Sequence, residues 1–552
     1  MRTRDLPVFA QFFIPFIALL LCIYAPLYAG NPNSAYYCPD TDKVIWFLHA
    51  SDTHIGTSGS TDSGNLQWLV SEARAVINPS FIVVSGDLTD STNGNIFGYP
   101  NGPYQAEWDQ YKNILSANGV NADFYFDIPG NHDAYNDRYF NYYLANSVQG
   151  SATGKTQASW MREGPWGKYH FLGVNSADNT GAPFSIVWPY GDNAGLDTSE
   201  LSFVGSELTT HGDADITIAF GHHPLVATGN SSDTYLFYGK DEFVNLMNGY
   251  GASLYGYGHT HASSEQFFTQ NMTDGIFYVN VSSIGKDSPN QYTVTAIDCN
   301  GISSTTQSVK TWPVVLITSP MNRRLGGTIN PYAYNVTSSA GNPVRALVFD
   351  PAPVTLVQFR INGGIWHPMT SVPGNPRLWQ GAWDALALTQ GEYTLEVQVT
   401  TGSGVRTDTV TTYVESQTVP RIGVNELITG KYVTTVIGKK KTTVFNPVIT
   451  FKRGEKIVFR AAVKDAADTP VSNATVQLVT TGSSSTTPSV SLTSGLSNSN
   501  GIAEASWTTT APNRRGQGGT PIDSYTATVS GVTAAGYKWN GIGSNVTFTI
   551  TQ

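Results

Sequence analysis

The sequence predicts an α/β domain, with helices layered on sheet, followed by two all-β sandwiches. Up to about residue 300, short apolar runs typical of buried strands alternate with segments whose apolar residues recur at the helical period. Beyond residue 310 the helical period disappears, and alternating apolar residues separated by turn signals predict strands. Only 13% of the residues are charged, a composition that favours exported modules over a cytosolic enzyme.

The elements of the first domain follow from these patterns. Continuous apolar runs predict strands covered on both faces at 44–48, 81–84, 124–126, 169–174, 216–220 and 253–257. The helical period predicts helices around 66–76, 108–115 and 201–208. In such alternating folds, functional side chains collect beyond the carboxyl ends of the strands.

With 552 residues the chain is too long for one domain. The predicted division is a signal peptide at 1–29, an α/β domain at 30–310, and β-sandwiches at 311–416 and 420–552. A hairpin within 395–414, with its turn at Gly402, exemplifies the β pattern of the second domain. The sizes of the last two domains are typical of sandwich modules.

The N-terminus has the features of an export signal. Arg2 and Arg4 precede an apolar stretch from 8 to 28, and a cleavage site is expected after Ala29. The alternative is an uncleaved membrane anchor, although two prolines interrupt the stretch. We therefore expect a periplasmic, secreted or cell-surface protein, either free or anchored by this segment.

Two cysteines flank the α/β domain. Cys38 precedes its first strand and Cys299 lies in its last. In an oxidising compartment they are expected to form a disulfide; the alternative is a pair of buried thiols.

Charge limits the partners of the chain. A net charge of −10 disfavours non-specific nucleic-acid binding, which requires a basic face. The β-sandwiches are the expected place for contact with a cell surface or with glycans. The sequence does not define an oligomeric state.

Short polar motifs follow the predicted strands of the first domain. They are Asp52-Thr53-His54, Gly86-Asp87, Gly130-Asn131-His132-Asp133, Gly221-His222-His223-Pro224 and Gly258-His259-Thr260-His261. Without His132, Asp133 and His223, they offer two carboxylates, an amide oxygen and four imidazoles, which is enough for two divalent ions. Such ligands suit Mn, Fe or Zn better than Mg or Ca.

Other residues carry weaker signals. His223 could replace His222 as a ligand, but the spacing before the proline favours His222. His49 and His170 lie in strands, where core or supporting roles are expected. Loop packing is the expected role of three aromatic residues that could also line a pocket: Tyr104, Tyr135 and Trp188.

The order of the motifs over residues 44–300 resembles the calcineurin-like metallophosphoesterase superfamily. The resemblance implies a sandwich of two mixed sheets flanked by helices, and the C-terminal domains are similar to immunoglobulin-like modules. It implies that one ion is held by Asp52, His54, Asp87 and His261. It implies that the other ion is held by Asp87, Asn131, His222 and His259. By the same resemblance, His132 contacts the substrate phosphate and assists the leaving group, and Asp133 orients His132.

The predicted function is an exported dinuclear-metal phosphoesterase. Two adjacent ions convert a bridging water into a hydroxide that attacks phosphorus. A phosphodiesterase is preferred because the segment 86–90 resembles phosphodiesterase branches, with Asp90 where purple acid phosphatases have a tyrosine. The alternatives are a phosphomonoesterase, a nucleotidase, or a surface binding protein with a vestigial catalytic domain. The complete ligand set favours the enzyme.

Overall fold

The structure, a computed structural model, describes most of the chain from residue 42 to residue 552. The residues left out of this range are 58–60, 93–100, 178–193, 226–235, 268–275, 327, 331–332, 416–419, 438–439, 466–467, 485–486, 488 and 542. The predicted signal peptide and Cys38 also lie outside the described residues. None of the helices within the described part has the length and apolar character that a membrane crossing requires.

Strands and helices alternate in the first domain, as the sequence predicts. The strands are β1 (Val44–Ala50), β2 (Ile82–Ser85), β3 (Tyr125–Ile128), β4 (Ala158–Gly164), β5 (Gly167–Gly173), β6 (Ile216–Phe220), β7 (Leu254–Tyr257), β8 (Ser264–Phe267), β9 (Phe277–Asn280), β10 (Gln291–Asp298) and β11 (Gly301–Ser308). The helices are α1 (Thr61–Trp68), which continues through a π-helical turn (Leu69–Ala73) into α2 (Arg74–Ile77), then α3 (Gln105–Ala117), α4 (Asn131–Ala134), α5 (Asn141–Asn146), α6 (Val148–Thr153), α7 (Thr198–Thr210) and α8 (Lys240–Gly249).

These strands form two mixed sheets, and the predicted sandwich is therefore confirmed. The first sheet has the order β11-β10-β1-β2-β3, with β1, β2 and β3 parallel and β10 antiparallel to β1. The second sheet has the order β4-β5-β6-β7-β9-β8, with a parallel centre and antiparallel edges. The parallel strands need crossover connections, which place helices outside the sheets.

An aromatic core holds the two sheets together. Phe47 and Phe81 stack with ring centroids 4.6 Å apart, and Phe81 meets Phe171 of the second sheet edge-on at the same distance. Each buried ring of this kind stabilises the fold by about 1.5–3 kcal/mol. Because this packing fixes one sheet relative to the other, it also fixes the strand ends that carry the motifs.

The remainder of the chain consists of strands in two further domains. The second domain contains β12 (Val314–Ser319), β13 (Arg324–Leu325), β14 (Thr328–Ile329), β15 (Val336–Thr337), β16 (Asn342–Phe349), β17 (Val354–Ile361), β18 (His367–Pro368), β19 (Thr370–Val372), β20 (Asn375–Trp383), β21 (Gly391–Thr401) and β22 (Gly404–Glu415). The third contains β23 (Arg421–Ile437), β24 (Lys440–Pro447), β25 (Thr450–Lys452), β26 (Lys456–Asp465), β27 (Thr475–Gly482), β28 (Val490–Thr493), β29 (Ile502–Thr508), β30 (Asp523–Thr533), β31 (Lys538–Trp539) and β32 (Asn545–Thr551).

Each of these domains has two main sheets that face each other across a hydrophobic core. In the second domain the sheets are β12-β16-β20-β19 and β15-β22-β21-β17-β18. In the third they are β24-β23-β26-β29 and β25-β32-β30-β27-β28. The predicted β-sandwich architecture is therefore present in both, while their immunoglobulin-like kinship stays a prediction.

The second domain packs directly on the first. The outer face of its β12-β16-β20-β19 sheet contributes Leu316, Leu347 and Phe349 to the hydrophobic core that lies under α1 and α3. A buried ion pair crosses the same boundary, with Arg345 Nη2 2.9 Å from Asp298 Oδ1. The hydrophobic cluster under α1 and α3 is therefore shared by the two domains, in addition to the core that lies within each of them.

Cys299 follows β10 and is disulfide-bonded. Its partner lies outside the described residues, so the pairing with Cys38 stays a prediction. The Sγ atom accepts a hydrogen bond from Arg345 Nη2 at 3.3 Å, which places the disulfide beside the boundary between the first two domains.

Candidate dinuclear metal centre

The seven predicted ligands converge at the carboxyl ends of strands from both sheets. Asp52 and His54 follow β1, Asp87 follows β2, and Asn131 begins the short helix α4 after β3. The remaining three come from the second sheet, with His222 after β6, and His259 and His261 after β7. The parallel arrangement of these strands brings all of the motifs to one edge of the sandwich.

Unusual backbone conformations direct these side chains inward. Five of the seven predicted ligands have positive φ angles, between 41° and 67°. They are Asp52, His54, Asp87, His259 and His261. Such conformations cost about 1–3 kcal/mol each for residues other than glycine, and they concentrate at functional sites. The fold therefore maintains local strain where the strands end.

Asp52, His54 and His261 form one group of potential ligands. The Nε2 atoms of His54 and His261 are 3.2 Å apart, and His261 Nε2 is also 3.2 Å from Asp52 Oδ1. Asp52 is fully buried, and its Oδ1 has no hydrogen-bond partner among the described residues. A buried carboxylate oxygen in this state is what a bound cation would satisfy.

Asn131, His222 and His259 form a second group. Asn131 Oδ1 lies 3.0 Å from His222 Nε2 and 3.1 Å from His259 Nδ1, and these two nitrogens are 3.2 Å apart. Tyr135 fixes the amide, because its hydroxyl accepts a 2.8 Å hydrogen bond from Asn131 Nδ2. The amide oxygen is thereby turned toward the two imidazoles.

Asp87 lies between the two groups. Its Oδ2 is 3.6 Å from His54 Nε2 in the first group and 3.3 Å from His222 Nε2 in the second. The preceding Gly86 is required for this arrangement, because a Cβ there would overlap the His222 ring. One carboxylate is therefore within reach of both groups.

The donor atoms fit two metal ions. Ligand atoms about 2.1 Å from a common ion lie about 3.0–3.4 Å apart in octahedral or tetrahedral geometry. Within each group, two imidazole nitrogens are 3.2 Å apart, and they would repel each other if both carried a proton. The same spacing is what a shared cation requires.

The outer nitrogens of three imidazoles lie beside oxygen atoms. His222 Nδ1 donates to the Ser85 carbonyl at 2.7 Å. His54 Nδ1 lies 2.9 Å from Asp90 Oδ1, and His261 Nδ1 lies 2.5 Å from Asp287 Oδ2. Metal-binding histidines typically use their second nitrogen in this way, which fixes the tautomer and leaves the inner lone pair for the ion.

The electrostatics of the site favour cations. Burial opposes ionisation of Asp52, but the surrounding imidazoles outweigh it and hold the pKa of Asp52 well below its usual range. Burial alone would lower the pKa of His54, but contacts with Asp52 and Asp90 raise it to about 9. Without metal, protons thus take the place of cations beside these carboxylates, and metal binding is expected to release them.

His132 lies over the centre. Its Nδ1 donates to the Asp90 carbonyl at 2.6 Å, and its Nε2 lies 3.9 Å from Asp87 Oδ2. The side chain is 14% exposed, so a substrate can reach the ring.

The described contacts of the Asp133 carboxylate are with the loop after β2 and with Gly130 rather than with His132, so its role in orienting that ring stays a prediction. The carboxylate accepts hydrogen bonds from the backbone amides of Gly130, Leu88 and Thr89 at 2.9–3.1 Å. Asp133 therefore ties the loop after β2 to the start of α4, which positions Asp87 and Asn131. The His132 ring itself contacts the Asp90 carbonyl.

His223 lies beside the second group, where one potential ligand atom each of His222, His223 and His259 lies within 4.8 Å of the others. The Nδ1 atom of His223 is 2.9 Å from Ser176 Oγ, which also accepts hydrogen bonds from the backbone amides of both histidines at 3.0 Å. His222 Nε2 lies 3.3 Å from the shared carboxylate of Asp87, so His222 stays the proposed ligand.

The other residues with weaker signals occupy different places. His49 is buried and its Nε2 is 2.8 Å from Ser85 Oγ, which makes it a supporting residue as expected. Tyr104 lies at the start of α3, away from any contact with the two groups among the described residues. Trp188 lies outside the described residues.

Sequence reasoning missed three charged residues beside the site. Asp90 contacts His54, Lys286 Nζ lies 2.9 Å from Asp90 Oδ1, and Asp287 holds His261. In the sequence, Asp90 stands out only because purple acid phosphatases have a tyrosine at this position. Lys286 and Asp287 follow no motif, so nothing in the sequence indicated them.

Asp90→Asn is expected to weaken metal binding at the first group by about 10–100-fold, because the variant removes the charge that holds His54. Competition with a chromogenic chelator measures this affinity. Lys286→Met is the matched control, since it breaks the ion pair between Lys286 and Asp90 and leaves the contact of Asp90 with His54. Equal metal affinity in Asp90→Asn and in the unmodified chain would contradict the role of Asp90.

Comparison with known proteins agrees with the predicted kinship. The family model of the calcineurin-like phosphoesterases matches residues 45–263. Transmembrane protein 62 of Mus musculus is 26% identical over 374 residues, which cover 66% of this chain and 54% of the mouse protein. A candidate metallophosphoesterase of Arabidopsis thaliana is 22% identical over 418 residues, covering 65% of this chain and 54% of the plant protein. The chain spans about half the length of these curated relatives.

Among solved structures, a dimetal phosphatase from Danio rerio aligns with 48% of this chain and 97% of its own. Its sequence identity is 12% and its TM-score is 0.38, and no conclusion rests on that likeness.

Proposed function

Through residues 45–263 the chain belongs to the calcineurin-like phosphoesterase family, and from that premise we propose that it hydrolyses a phosphate ester with two divalent metal ions. The observation that carries this proposal is the position of Asp87, whose Oδ2 lies within 3.6 Å of imidazole nitrogens in both ligand groups. A shared carboxylate keeps two ions adjacent, which is the arrangement of two-metal hydrolases.

The two ligand groups define how the ions would be held. Asp52, His54 and His261 would hold one ion, and Asn131, His222 and His259 would hold the other. Asp87 would contribute to both. The mixture of imidazole, carboxylate and amide ligands suits Mn, Fe or Zn.

When bound, such a pair of ions supplies an activated water at neutral pH and neutralises charge on the phosphoryl oxygens. The chain itself supplies position and a proton. His132 Nε2 faces the open side of the site, where it hydrogen-bonds to a phosphoryl or leaving-group oxygen. Burial lowers the pKa of His132 to about 4. A bound phosphate opposes this shift because its negative charge favours the doubly protonated ring. That form donates a proton to the departing oxygen while Nδ1 stays on the Asp90 carbonyl.

A diester is the proposed substrate class. The resemblance of segment 86–90 to phosphodiesterase branches supports this choice, and Asp90 itself occupies the contact with His54. A monoesterase or nucleotidase would use the same ligands and differ in the pocket walls. A binding protein with a vestigial centre is disfavoured, because a decayed site is expected to have lost at least one ligand.

Export is also part of the proposal. The disulfide at Cys299 supports an oxidising compartment. The basic and apolar N-terminal segment supports either a signal peptide or a membrane anchor. The mouse relative bears the name of a transmembrane protein, which agrees with the anchored form.

The test uses the purified full chain, stripped of metal with a chelator and reconstituted with Mn²⁺. Hydrolysis of bis(4-nitrophenyl) phosphate is compared with that of 4-nitrophenyl phosphate, with the stripped protein as control. We expect metal-dependent release of nitrophenol, faster from the diester. A faster monoester reaction would reverse the substrate preference, and two bound ions without hydrolysis of either ester would favour the binding protein.

A further inference from the structure

A separate group of ligand-type side chains lies between the second sheet and α7. His170 is on β5, Glu207 is in the last turns of α7, and His211 directly follows that helix. One potential ligand atom from each residue lies within 4.8 Å of the others. None of the three belongs to the dinuclear centre.

The helix and the strand bring these side chains together. Glu207 and His211 are four residues apart, so they lie on the same face of the helix. Val204 and Leu208 are buried against the second sheet, which turns the neighbouring face of α7 toward β4 and β5. His170 projects from β5 under this face, with its ring centroid 4.5 Å from that of His211.

The distances fit one tetrahedral ion. Glu207 Oε2 and His211 Nε2 are 3.7 Å apart, while ligand atoms about 2.1 Å from a tetrahedral ion are separated by about 3.4 Å. Ser159 Oγ lies 2.5 Å from Glu207 Oε2 and 3.0 Å from His170 Nε2, so it holds both side chains in place. Small side-chain movements would therefore complete the site.

His170 is not satisfied by the protein alone. Its side chain is fully buried, and its Nδ1 has no hydrogen-bond partner among the described residues. An ion bound there would satisfy this nitrogen, since a buried polar atom without a hydrogen-bond partner is costly. Glu207 and His211 are about one-quarter exposed, which gives an ion access from solvent.

We propose that His170, Glu207 and His211 bind a single zinc-type divalent ion that fastens α7 to the second sheet. Two imidazoles and a carboxylate are the ligand types of zinc sites, with water in the fourth position. The ion joins the end of α7 to β5 directly. At the other end of this helix, Glu200 Oε1 accepts a 2.5 Å hydrogen bond from Gln157 Nε2, so the ion and this bond hold both ends of α7 against the sheet.

The test counts zinc ions in the full chain after chelator stripping, reloading with Zn²⁺ and desalting. We expect one more equivalent in the unmodified chain than in either Glu207→Gln or His211→Asn. We also expect Zn²⁺ to raise the melting temperature of the unmodified chain by about 5 °C more than that of His211→Asn. His367→Asn, which removes an exposed histidine of the second domain, is the control and should bind the full number.

A comparison in the Asp87→Asn background separates this ion from the dinuclear centre. If the Asp87→Asn protein holds one more zinc equivalent than the Asp87→Asn/His211→Asn protein, the site is supported, whatever number of ions the dinuclear centre binds. Equal zinc content with and without His211→Asn would overturn the proposal. An extra ion held only at millimolar Zn²⁺ and lost on desalting would also overturn it.

Discussion

Replacing Asp87 with asparagine is expected to abolish the paired metal centre while leaving the fold intact. Asp87 Oδ2 lies 3.6 Å from His54 Nε2 and 3.3 Å from His222 Nε2, so its charge is the one that both ligand groups share. Asparagine keeps the shape of the side chain and can still accept the 2.8 Å hydrogen bond from the His132 amide. The variant therefore isolates the loss of charge from the loss of packing.

The expected result is a fall in tightly bound metal from two equivalents in the centre to one or none. An ion contributes several kcal/mol to stabilising the transition state, so kcat/KM should fall about 10³-fold or more. Elemental analysis of the desalted protein and hydrolysis of the diester measure the two effects. These experiments use Mn²⁺, because Mn²⁺ is expected to bind only weakly to the zinc-type site on α7.

Asp241→Asn is the matched control, since it neutralises a carboxylate that is 77% exposed on α8. It should retain both ions and full activity. An Asp87→Asn variant with two bound ions would refute the sharing of this carboxylate. A variant with one ion and unchanged activity would refute the need for a pair.

Much of the fold could be predicted because the buried strands are continuous apolar runs. The predicted strand at 216–220 coincides with β6, and the helix predicted around 201–208 lies within α7. Elements with weak patterns were missed. For example, α8 (Lys240–Gly249) buries only Phe243 and Met247, too few apolar positions for its period to be recognised.

The close packing of the second domain on the first also had no signal in the sequence. Strand β12 (Val314–Ser319) is buried on both faces, and its apolar run predicts a strand without saying what covers each face. In the structure, Leu316 faces the first domain and Ile317 faces the core of the second. A run of this kind is equally compatible with an isolated sandwich.

The ligand set could be predicted, but the reason that it converges could not. Spacing alone places Asp52 and His54 on one side of an extended strand. The structure instead gives these residues φ angles of 54° and 41°, so a strained turn directs both side chains inward. Left-handed conformations at residues other than glycine have no reliable sequence signal, because tertiary packing imposes them. The supporting contacts of Asp90 and Asp287 depend on the same turns.

His132→Asn is expected to lower kcat by about 10²–10⁴-fold while both ions remain bound. The imidazole is not one of the seven proposed ligands; its Nε2 lies 3.9 Å from Asp87 Oδ2, and the side chain is 14% exposed. Its Nδ1 is held by the Asp90 carbonyl at 2.6 Å, so the ring is aimed before substrate arrives. The shorter asparagine side chain loses proton transfer and reach, but the backbone amide that binds Asp87 remains.

The nature of the leaving group distinguishes proton donation from simple positioning. A 4-nitrophenolate departs without a proton, whereas an alkoxide requires one, so a general acid matters most for alkyl esters. We therefore expect the loss of kcat in His132→Asn to be at least tenfold greater for a dialkyl phosphate, in which both possible leaving groups are alkoxides, than for bis(4-nitrophenyl) phosphate. Equal losses for both substrates would show that His132 only positions the phosphate. Loss of metal in parallel with activity would instead make His132 a support of the centre, because a proton donor can be removed without disturbing the carboxylate and imidazoles that hold the ions.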